Sequence, residues 1–307
     1  ALENGLTAAA IYNDAPHIME GGELEEVYRP SNFNDEFDGP SRIREALYKS
    51  KNLISLRVIL DYGPRNAINY VSRFGFDTSS FPRNVQLAFG GGTIALTPLE
   101  VASGYATFAN GGYAVSPYFI REIDSINEDI LFMASPATVC NDCETSPERV
   151  IENRVAYIMD SILADVITKG TGAKARRELK RSDLRGKTGT TNAADIWFSG
   201  YNRDVAASVW VGFDDNGPVG NREFGSTAPL EAWIAFMKDI LPPESETRSL
   251  PFPDQLVTVR IDPTTGLRTD PTDPDGVFEI FREEFAPPAA LAKQQEEVES
   301  QPIQQIF

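Results

Sequence analysis

The sequence has few of the residues that build metal and redox sites, and it has no long apolar run. One histidine, His17, and two cysteines occur in 307 residues, whereas a structural zinc site needs about four ligands, so we expect no metal and no cofactor. The sequence contains no stretch of 18 or more apolar residues, so it does not predict a membrane-spanning helix. Basic residues are also scarce, and the formal net charge of −17 argues against a nucleic-acid partner.

The two cysteines stand close together, as Cys140-Asn-Asp-Cys143. A small disulfide loop in an oxidising compartment and two surface thiols in a variable loop both fit this spacing. The βαβ pattern that accompanies thioredoxin-like cysteine pairs is not evident, so the pair predicts no redox activity.

A polar motif stands before two strand-like runs. Residues 186–191 read Gly-Lys-Thr-Gly-Thr-Thr, and the apolar runs at 196–201 and 205–213 follow. The short polar turn at 202–204 is typical of an antiparallel pair, and the motif is predicted to form the first strand of the group.

The side chains of this motif suit a ligand that carries a carboxylate. On an edge strand beside a cleft, Lys187 and the hydroxyls of Thr188 and Thr190 can face an anion, and a free backbone N–H can face a carbonyl oxygen. Gly189 lets a ligand approach the backbone closely. A Lys-Thr-Gly tripeptide alone is weak support for such a binding site, so the assignment depends on the rest of the sequence.

Helical patterns surround this motif, and the clearest start is Thr97-Pro98-Leu99-Glu100, where Thr97 and Glu100 can form a capping box. Other helices are predicted from Ser41, over 53–60, over 65–76, over 150–168 and from Thr227. Residues 1–40 are loop-rich. From Pro242 onward the composition shifts, with one hairpin-like piece at 257–266, and residues 289–307 are predicted to be disordered.

A second polar motif, Ser50-Lys51-Asn52, lies at the predicted junction of two helices. Together with Lys187-Thr188-Gly189 it matches the Ser-x-Asn and Lys-Thr-Gly elements of penicillin-recognising serine enzymes. Stretches 92–112, 195–198 and 228–237 match that family in order, as its long helix, the strand after Lys-Thr-Gly and its last helix. The sequence resembles class A bifunctional penicillin-binding proteins of the 1A type from Gram-negative bacteria, over about residues 1–245.

The resemblance implies an α/β (α+β) fold of the penicillin-binding and serine β-lactamase type, in which helices flank an antiparallel sheet. It also implies that the first strands of this sheet lie upstream of this chain. Residues 1–245 would form the transpeptidase domain and residues 246–307 a C-terminal extension. The implied activity is a D,D-transpeptidase that cross-links peptidoglycan at the periplasmic face of the inner membrane. Its partners would be stem peptides ending in D-Ala-D-Ala, β-lactams and the N-terminal remainder of the protein, which would carry the glycosyltransferase and the membrane segment.

Roles follow for the matching residues. The resemblance implies catalytic roles for Ser50, Asn52, Lys187 and Thr190, and substrate binding by Thr188, Gly189, Thr190 and Thr191. Taken alone, each could equally be a helix-end hydroxyl, a cap or a solvated strand residue. We expect Lys51 at the surface, Glu100 in a helix cap, and Trp197, Phe198 and Trp233 in the core.

The sequence departs from the family at the nucleophile. The family's Ser-x-x-Lys motif is missing, and the nearest pattern, Thr171-Gly-Ala-Lys174, comes out of order just past a helix end. The resemblance puts the motif just upstream of Ala1 to Gly5, which itself is typical of a helix's last turn. We therefore expect the C-terminal part of a longer protein. Either another polypeptide supplies the nucleophile, or the chain is an inactive remnant, a weaker hypothesis because it leaves a large apolar face exposed.

Three other functions remain open at this point. A serine β-lactamase shares the fold and motifs but needs a deacylating general base, for which no candidate loop is evident. A D,D-carboxypeptidase would release D-alanine without an acceptor strand. A sensor would bind β-lactam or peptide without forming an acyl adduct.

Overall fold

The computed structural model describes residues 1–18, 29–90, 94–139, 146–191, 194–246 and 249–288. The α-helices there are α1 (Ile43–Lys49), α2 (Asn52–Tyr62), α3 (Pro64–Val71), α4 (Pro98–Ala109), α5 (Asn153–Thr168), α6 (Ala173–Leu179) and α7 (Ala228–Ile240). The strands are β1 (Ile11–Asp14), β2 (Gly39–Arg42), β3 (Glu122–Asp124), β4 (Ile130–Met133), β5 (Arg185–Thr191), β6 (Asp195–Tyr201), β7 (Ala206–Gly212), β8 (Leu256–Ile261) and β9 (Val277–Arg282). Cys140, Cys143, Gly92, Thr93 and the predicted disordered tail lie outside the described residues.

Strands β5, β6 and β7 form an antiparallel sheet in that order, which confirms the predicted strand group. Strand β5 is one edge of the sheet, and Lys187 lies opposite Ser199 of β6. Side chains alternate between the two faces of β6, and Ile196 and Phe198 are fully buried on the same face. The motif residues therefore stand on an edge strand supported by the core.

The core beneath the sheet is built on aromatic side chains from α7 and β6. Trp233 and Phe198 are both completely buried, and their rings meet edge to face with centroids 5.0 Å apart. Burying such a side chain stabilises the fold by about 1.5–3 kcal/mol. The core prediction is confirmed for these two residues. It is wrong for Trp197, which is half-buried and lines a surface cavity.

The capping box at the start of α4 is confirmed. Thr97 Oγ1 accepts the Glu100 N–H at 3.2 Å, and Glu100 Oε2 accepts the Thr97 N–H at 2.7 Å. Helix α5 begins at Asn153 rather than at Val150. The N–H groups of Val150 and Ile151 both donate to the carbonyl of Gly112.

The loop-rich N-terminal region contains two short paired strands that the sequence pattern did not reveal. Strands β1 and β2 pair antiparallel, with Tyr12 opposite Ser41, so that Ser41 belongs to a strand and not to the predicted helix. Each strand is only four residues long and β2 includes Pro40, which is why neither shows a recognisable period. The chain runs directly from β2 into α1.

The hairpin-like piece after Pro242 includes β8, as predicted, but its partner is β9, beyond the turn at 262–266. The strand pair packs against the rest of the protein through apolar residues such as Leu256, and its fully buried Glu279 forms an ion pair with Arg44 of α1 at 2.6 Å. The domain boundary at residue 245 stays a prediction. None of the described helices is long and apolar enough to cross a membrane.

Candidate active site

Ser50 lies at the junction between α1 and α2 and has a left-handed backbone conformation with φ 60° and ψ 48°. Lys51 N–H donates back to the Ala46 carbonyl at 2.8 Å, a helix end of the Schellman type, in which glycine usually takes the left-handed position. A serine there costs roughly 1–2 kcal/mol relative to a right-handed conformation. Strain of this kind concentrates at functional sites.

Ser50 meets Lys187 across 137 residues of sequence. The ammonium group of Lys187 donates to Ser50 Oγ at 2.7 Å and to the Thr188 carbonyl oxygen at 2.8 Å. These contacts join the end of α1 to the edge strand β5. The structure thus brings together the two motifs that the sequence analysis paired.

The two motifs face each other across a cleft of about 590 Å³. We call residues Ser50–Asn52 the helix wall and residues Lys187–Thr190 the strand wall. The residues lining the cleft are Asn32, Phe33, Asn34, Asp38, Lys49, Ser50, Lys51, Asn52, Lys169, Gly170, Thr171, Thr188, Thr190, Phe224 and Ser226. At this cleft the rings of Phe33 and Phe224 meet edge to face, 4.8 Å between centroids.

The strand wall holds its lysine away from acids. Among the described residues no carboxylate forms an ion pair with Lys187, and burial lowers the pKa of its ammonium group to about 8. A lysine in such a setting is charged at neutral pH and offers its charge to an incoming anion.

The helix wall holds its lysine between two acids. Lys51 Nζ lies 3.0 Å from Asp14 Oδ2 and 2.8 Å from Asp38 Oδ1. Burial by itself would lower the pKa of Lys51. The hydrogen bonds to Asp38 and Asp14 outweigh the effect of burial, so the pKa of Lys51 is raised above its ordinary value. The expectation that Lys51 lies at the surface is wrong: it is 7% exposed. Its acidic partners come from β1 and from the residue before β2, the part of the chain whose structure the sequence did not indicate.

Two hydroxyls of the strand wall are held by neighbouring segments. Thr188 Oγ1 lies 2.7 Å from Thr171 Oγ1, on the turn after α5. Thr190 Oγ1 accepts the N–H of Gly225 at 3.0 Å. The sequence pattern singled out Thr171 only as part of an out-of-order Ser-x-x-Lys-like stretch and did not indicate Gly225, because nothing local shows that either residue lies beside β5.

The other predicted site residues occupy different places. Asn52 lines the cleft, and its Nδ2 donates to the Ser31 carbonyl at 3.0 Å. Gly189 packs against Trp197, with only 3.2 Å between the Trp197 Cβ and the place a Cβ would take on Gly189. Thr191 is not among the cleft-lining residues and instead lines a neighbouring cavity with Trp197 and Trp210. The roles assigned to all these residues stay predictions.

No group of three or more His, Cys, Asp and Glu side chains is arranged to hold a metal ion within the described part of the chain. The polar side chains that line the cleft carry hydroxyl, amide and ammonium groups, together with the carboxylate of Asp38. Such a set can bind a carboxylate and move protons between oxygen and nitrogen atoms.

Comparison with known proteins gives consistent matches. The family model described as penicillin binding protein transpeptidase domain matches residues 1–220. Penicillin-binding protein 1A of Pseudomonas aeruginosa is 41% identical over 94% of this chain and 40% of its own length. The protein of the same name from Vibrio cholerae is 33% identical over 92% of this chain and 38% of its own length.

The fold matches as well. The crystal structure of penicillin-binding protein 1A from Haemophilus influenzae superposes with a TM-score of 0.87 at 32% identity, covering 95% of this chain and 47% of that one. The chain thus spans about two fifths of the curated relatives. With the family model matching well over half of its residues and both motifs facing one cleft, the chain belongs to the family of penicillin-binding protein transpeptidase domains.

Proposed function

We propose that this chain forms the substrate-receiving part of a serine-type D,D-transpeptidase that cross-links peptidoglycan and is a target of β-lactams. The hydrogen bond between Lys187 Nζ and Ser50 Oγ, 2.7 Å long, is the observation that carries the proposal. It joins two motifs far apart in sequence at one cleft, as the chemistry requires. Membership of the transpeptidase family supports the same reaction.

The reaction has two steps. A serine hydroxyl attacks the carbonyl carbon of the D-Ala-D-Ala peptide bond; the C–N bond breaks, the serine proton goes to the leaving nitrogen, and D-alanine departs. An amine of a second stem peptide then attacks the ester, loses its proton to the serine oxygen, and forms the cross-link. A β-lactam acylates the same serine when its ring opens.

The helix wall acts in proton transfer. Ser50 Oγ relays a proton to or from the leaving and incoming nitrogens, because a hydroxyl both donates and accepts. Asn52 orients the general base and donates to a substrate amide carbonyl. One hydrogen-bond donation from its amide nitrogen goes to Ser31, which fixes the amide's orientation.

The strand wall acts in binding and electrostatics. The hydroxyls of Thr188 and Thr190 bind the terminal carboxylate, with the charge of Lys187 behind them. The Thr190 N–H forms half of an oxyanion hole, where the loss of one donor costs about 3 kcal/mol. The backbone of Gly189 on the edge strand contacts the peptide, and Thr191 extends the binding strand.

The nucleophile and its general base are supplied by residues outside this chain, because Ser-x-x-Lys does not occur in the sequence. We propose that the N-terminal remainder of the same protein carries them, together with a glycosyltransferase and a membrane segment. The cleft would then work at the periplasmic face of the inner membrane.

The test is covalent labelling of the protein that contains this chain. A fluorescent penicillin followed by intact mass spectrometry should show one acyl adduct, placed on a segment outside these 307 residues. Product analysis with a D-Ala-D-Ala peptide and an amine acceptor should show the cross-linked dimer. Release of D-alanine without dimer would indicate a carboxypeptidase, rapid nitrocefin hydrolysis a β-lactamase, and reversible binding without adduct a sensor.

A further inference from the structure

Lys51, the central residue of the helix wall, has no place in the proposed reaction and yet is almost completely enclosed. Its ammonium group reaches two carboxylates, Asp14 at 3.0 Å and Asp38 at 2.8 Å. Enclosing a lysine is costly unless it is paired, so the pairing has to be maintained whenever the junction between α1 and α2 is formed.

The two acids belong to a larger polar network that reaches both sides of the junction. Asp14 is fully buried; its Oδ2 accepts the Asp38 N–H at 3.0 Å and its Oδ1 accepts Asn32 Nδ2 at 2.7 Å. Asn32 Oδ1 in turn accepts the N–H of Leu53, in the first turn of α2, at 3.3 Å. Strand β1 and residues 32–38 therefore fix the start of α2 from two directions.

This anchoring acts on the residues that the reaction uses. Ser50 and Asn52 flank Lys51 directly, and Ser50 is in a left-handed conformation that serine adopts only when its surroundings impose it. We propose that Lys51 is a positioning residue: its ion pairs with Asp14 and Asp38 hold Ser50 against Lys187 and Asn52 in the cleft. The inference deepens the proposed function and rests on it.

A purely structural role is the alternative, and the chain offers a matched control. Glu279 is also fully buried and forms an ion pair with Arg44 at 2.6 Å, on the same helix α1. Neither Arg44 nor Glu279 lines the cleft. Glu279→Gln therefore breaks a buried ion pair of the same kind without touching the helix wall.

The experiment compares acylation with stability in the complete protein. The second-order rate constant for acylation by a fluorescent penicillin is measured for Lys51→Met, Lys51→Arg and Glu279→Gln, well below all melting temperatures. We expect the acylation rate constant of Lys51→Met to be roughly 10- to 100-fold lower than that of the wild type, since displacement of a reacting group by about 1 Å has effects of this size. Lys51→Arg, which keeps the charge, should recover most of the rate. Glu279→Gln should melt earlier but acylate at the wild-type rate.

Lys51→Met leaves the buried Asp14 without its positively charged partner, so the double variant Lys51→Met/Asp14→Asn is included in case the single variant does not fold. A wild-type rate in a folded Lys51→Met or double variant, or an equal loss in Glu279→Gln, would overturn the inference. The crystallographic distance from Ser50 Oγ to Lys187 Nζ is an independent readout. It should exceed hydrogen-bond length in the double variant and stay near 2.7 Å in Glu279→Gln. If the wild-type protein forms no acyl adduct, the proposed function fails, while this distance still decides whether Lys51 positions Ser50.

Discussion

The helix wall and the strand wall each carry a lysine, and the two lysines have opposite electrostatic surroundings. Lys51 of the helix wall lies between Asp14 and Asp38, so its charge is neutralised within the protein. Lys187 of the strand wall meets a hydroxyl and a carbonyl instead, and burial lowers its pKa to about 8. A neutralised charge can only hold structure, whereas an uncompensated one can attract an anion. The difference supports the two roles proposed above, in which Lys51 positions its neighbours in the helix wall and Lys187 attracts the substrate carboxylate.

The largest expected effect comes from removing the uncompensated charge. Lys187→Ala in the complete protein should lower the acylation rate by roughly 100-fold or more, because a preorganised charge at the reacting centre is lost. The variant should stay folded and melt no earlier than the wild type, since no ion pair is broken and a buried charge that costs stability is removed. Acylation is measured with a fluorescent penicillin, and Lys238→Ala, at an exposed site on α7, is the control. Near wild-type acylation in Lys187→Ala would abolish the distinction between the walls.

The next effect is a shift in titration that can be measured on the chain as it is. In an NMR titration of lysine side chains, Lys187 should titrate near pH 8, below its ordinary value of 10.5, and Lys51 above that value. Between pH 8 and 10.5 the unfolded chain binds more protons at Lys187 than the folded chain does, so this group's contribution makes the protein more stable as pH rises through the window. Lys187→Ala assigns the signal and removes that contribution. A Lys187 signal that titrates with the exposed lysines would contradict the comparison.

How far the sequence could predict these walls depends on how each residue is held. Ser50 and Lys187 could be paired because both belong to short motifs whose spacing and order match a family. Strand β5 could be placed because two apolar runs and a polar turn follow it. The burial of Lys51 could not be predicted, since its partners lie in a region without hydrophobic periodicity and only tertiary structure brings them near.

The same limit explains the rest of the site and fold. Thr171 and Gly225 reach β5 from a turn and a loop, elements whose position depends on the helices they connect. Strand β9 was missed because its pairing partner β8 is separated from it by a long connection. Local patterns therefore gave the elements and the motifs, while the supporting contacts depend on packing between distant segments.

A third prediction tests whether the strand wall extends to the loop at Gly225. A Cβ on this residue would lie 2.4 Å from the Trp197 carbonyl oxygen and 2.5 Å from that of Gly189, both backbone atoms that cannot turn aside. Gly225→Ala should therefore push the loop away from β5 and lower acylation roughly tenfold, which corresponds to ~1.4 kcal/mol in the barrier.

The control for this variant lies in the same loop. Gly217→Ala places its Cβ 3.0 Å from an Asp215 carboxylate oxygen, the movable end of an exposed side chain. It should leave acylation unchanged. Equal rates for the two variants would show that the loop does not support the strand wall.

The smallest effect concerns the hydroxyl of Thr171. Its Oγ1 lies 2.7 Å from Thr188 Oγ1, so it fixes the rotamer of a hydroxyl proposed to bind the substrate carboxylate. Thr171→Val keeps the shape and removes the hydrogen bond, which is worth about 1 kcal/mol, or roughly fivefold. Because binding rather than proton transfer is affected, a D-Ala-D-Ala peptide should show a higher KM with little change in kcat, and Thr171→Ser should restore KM. A lower kcat at unchanged KM would show that this hydroxyl has a role other than binding. A Thr171→Ser variant as impaired as Thr171→Val would show the same. Either result would weaken the distinction between a strand wall that binds substrate and a helix wall that acts in proton transfer.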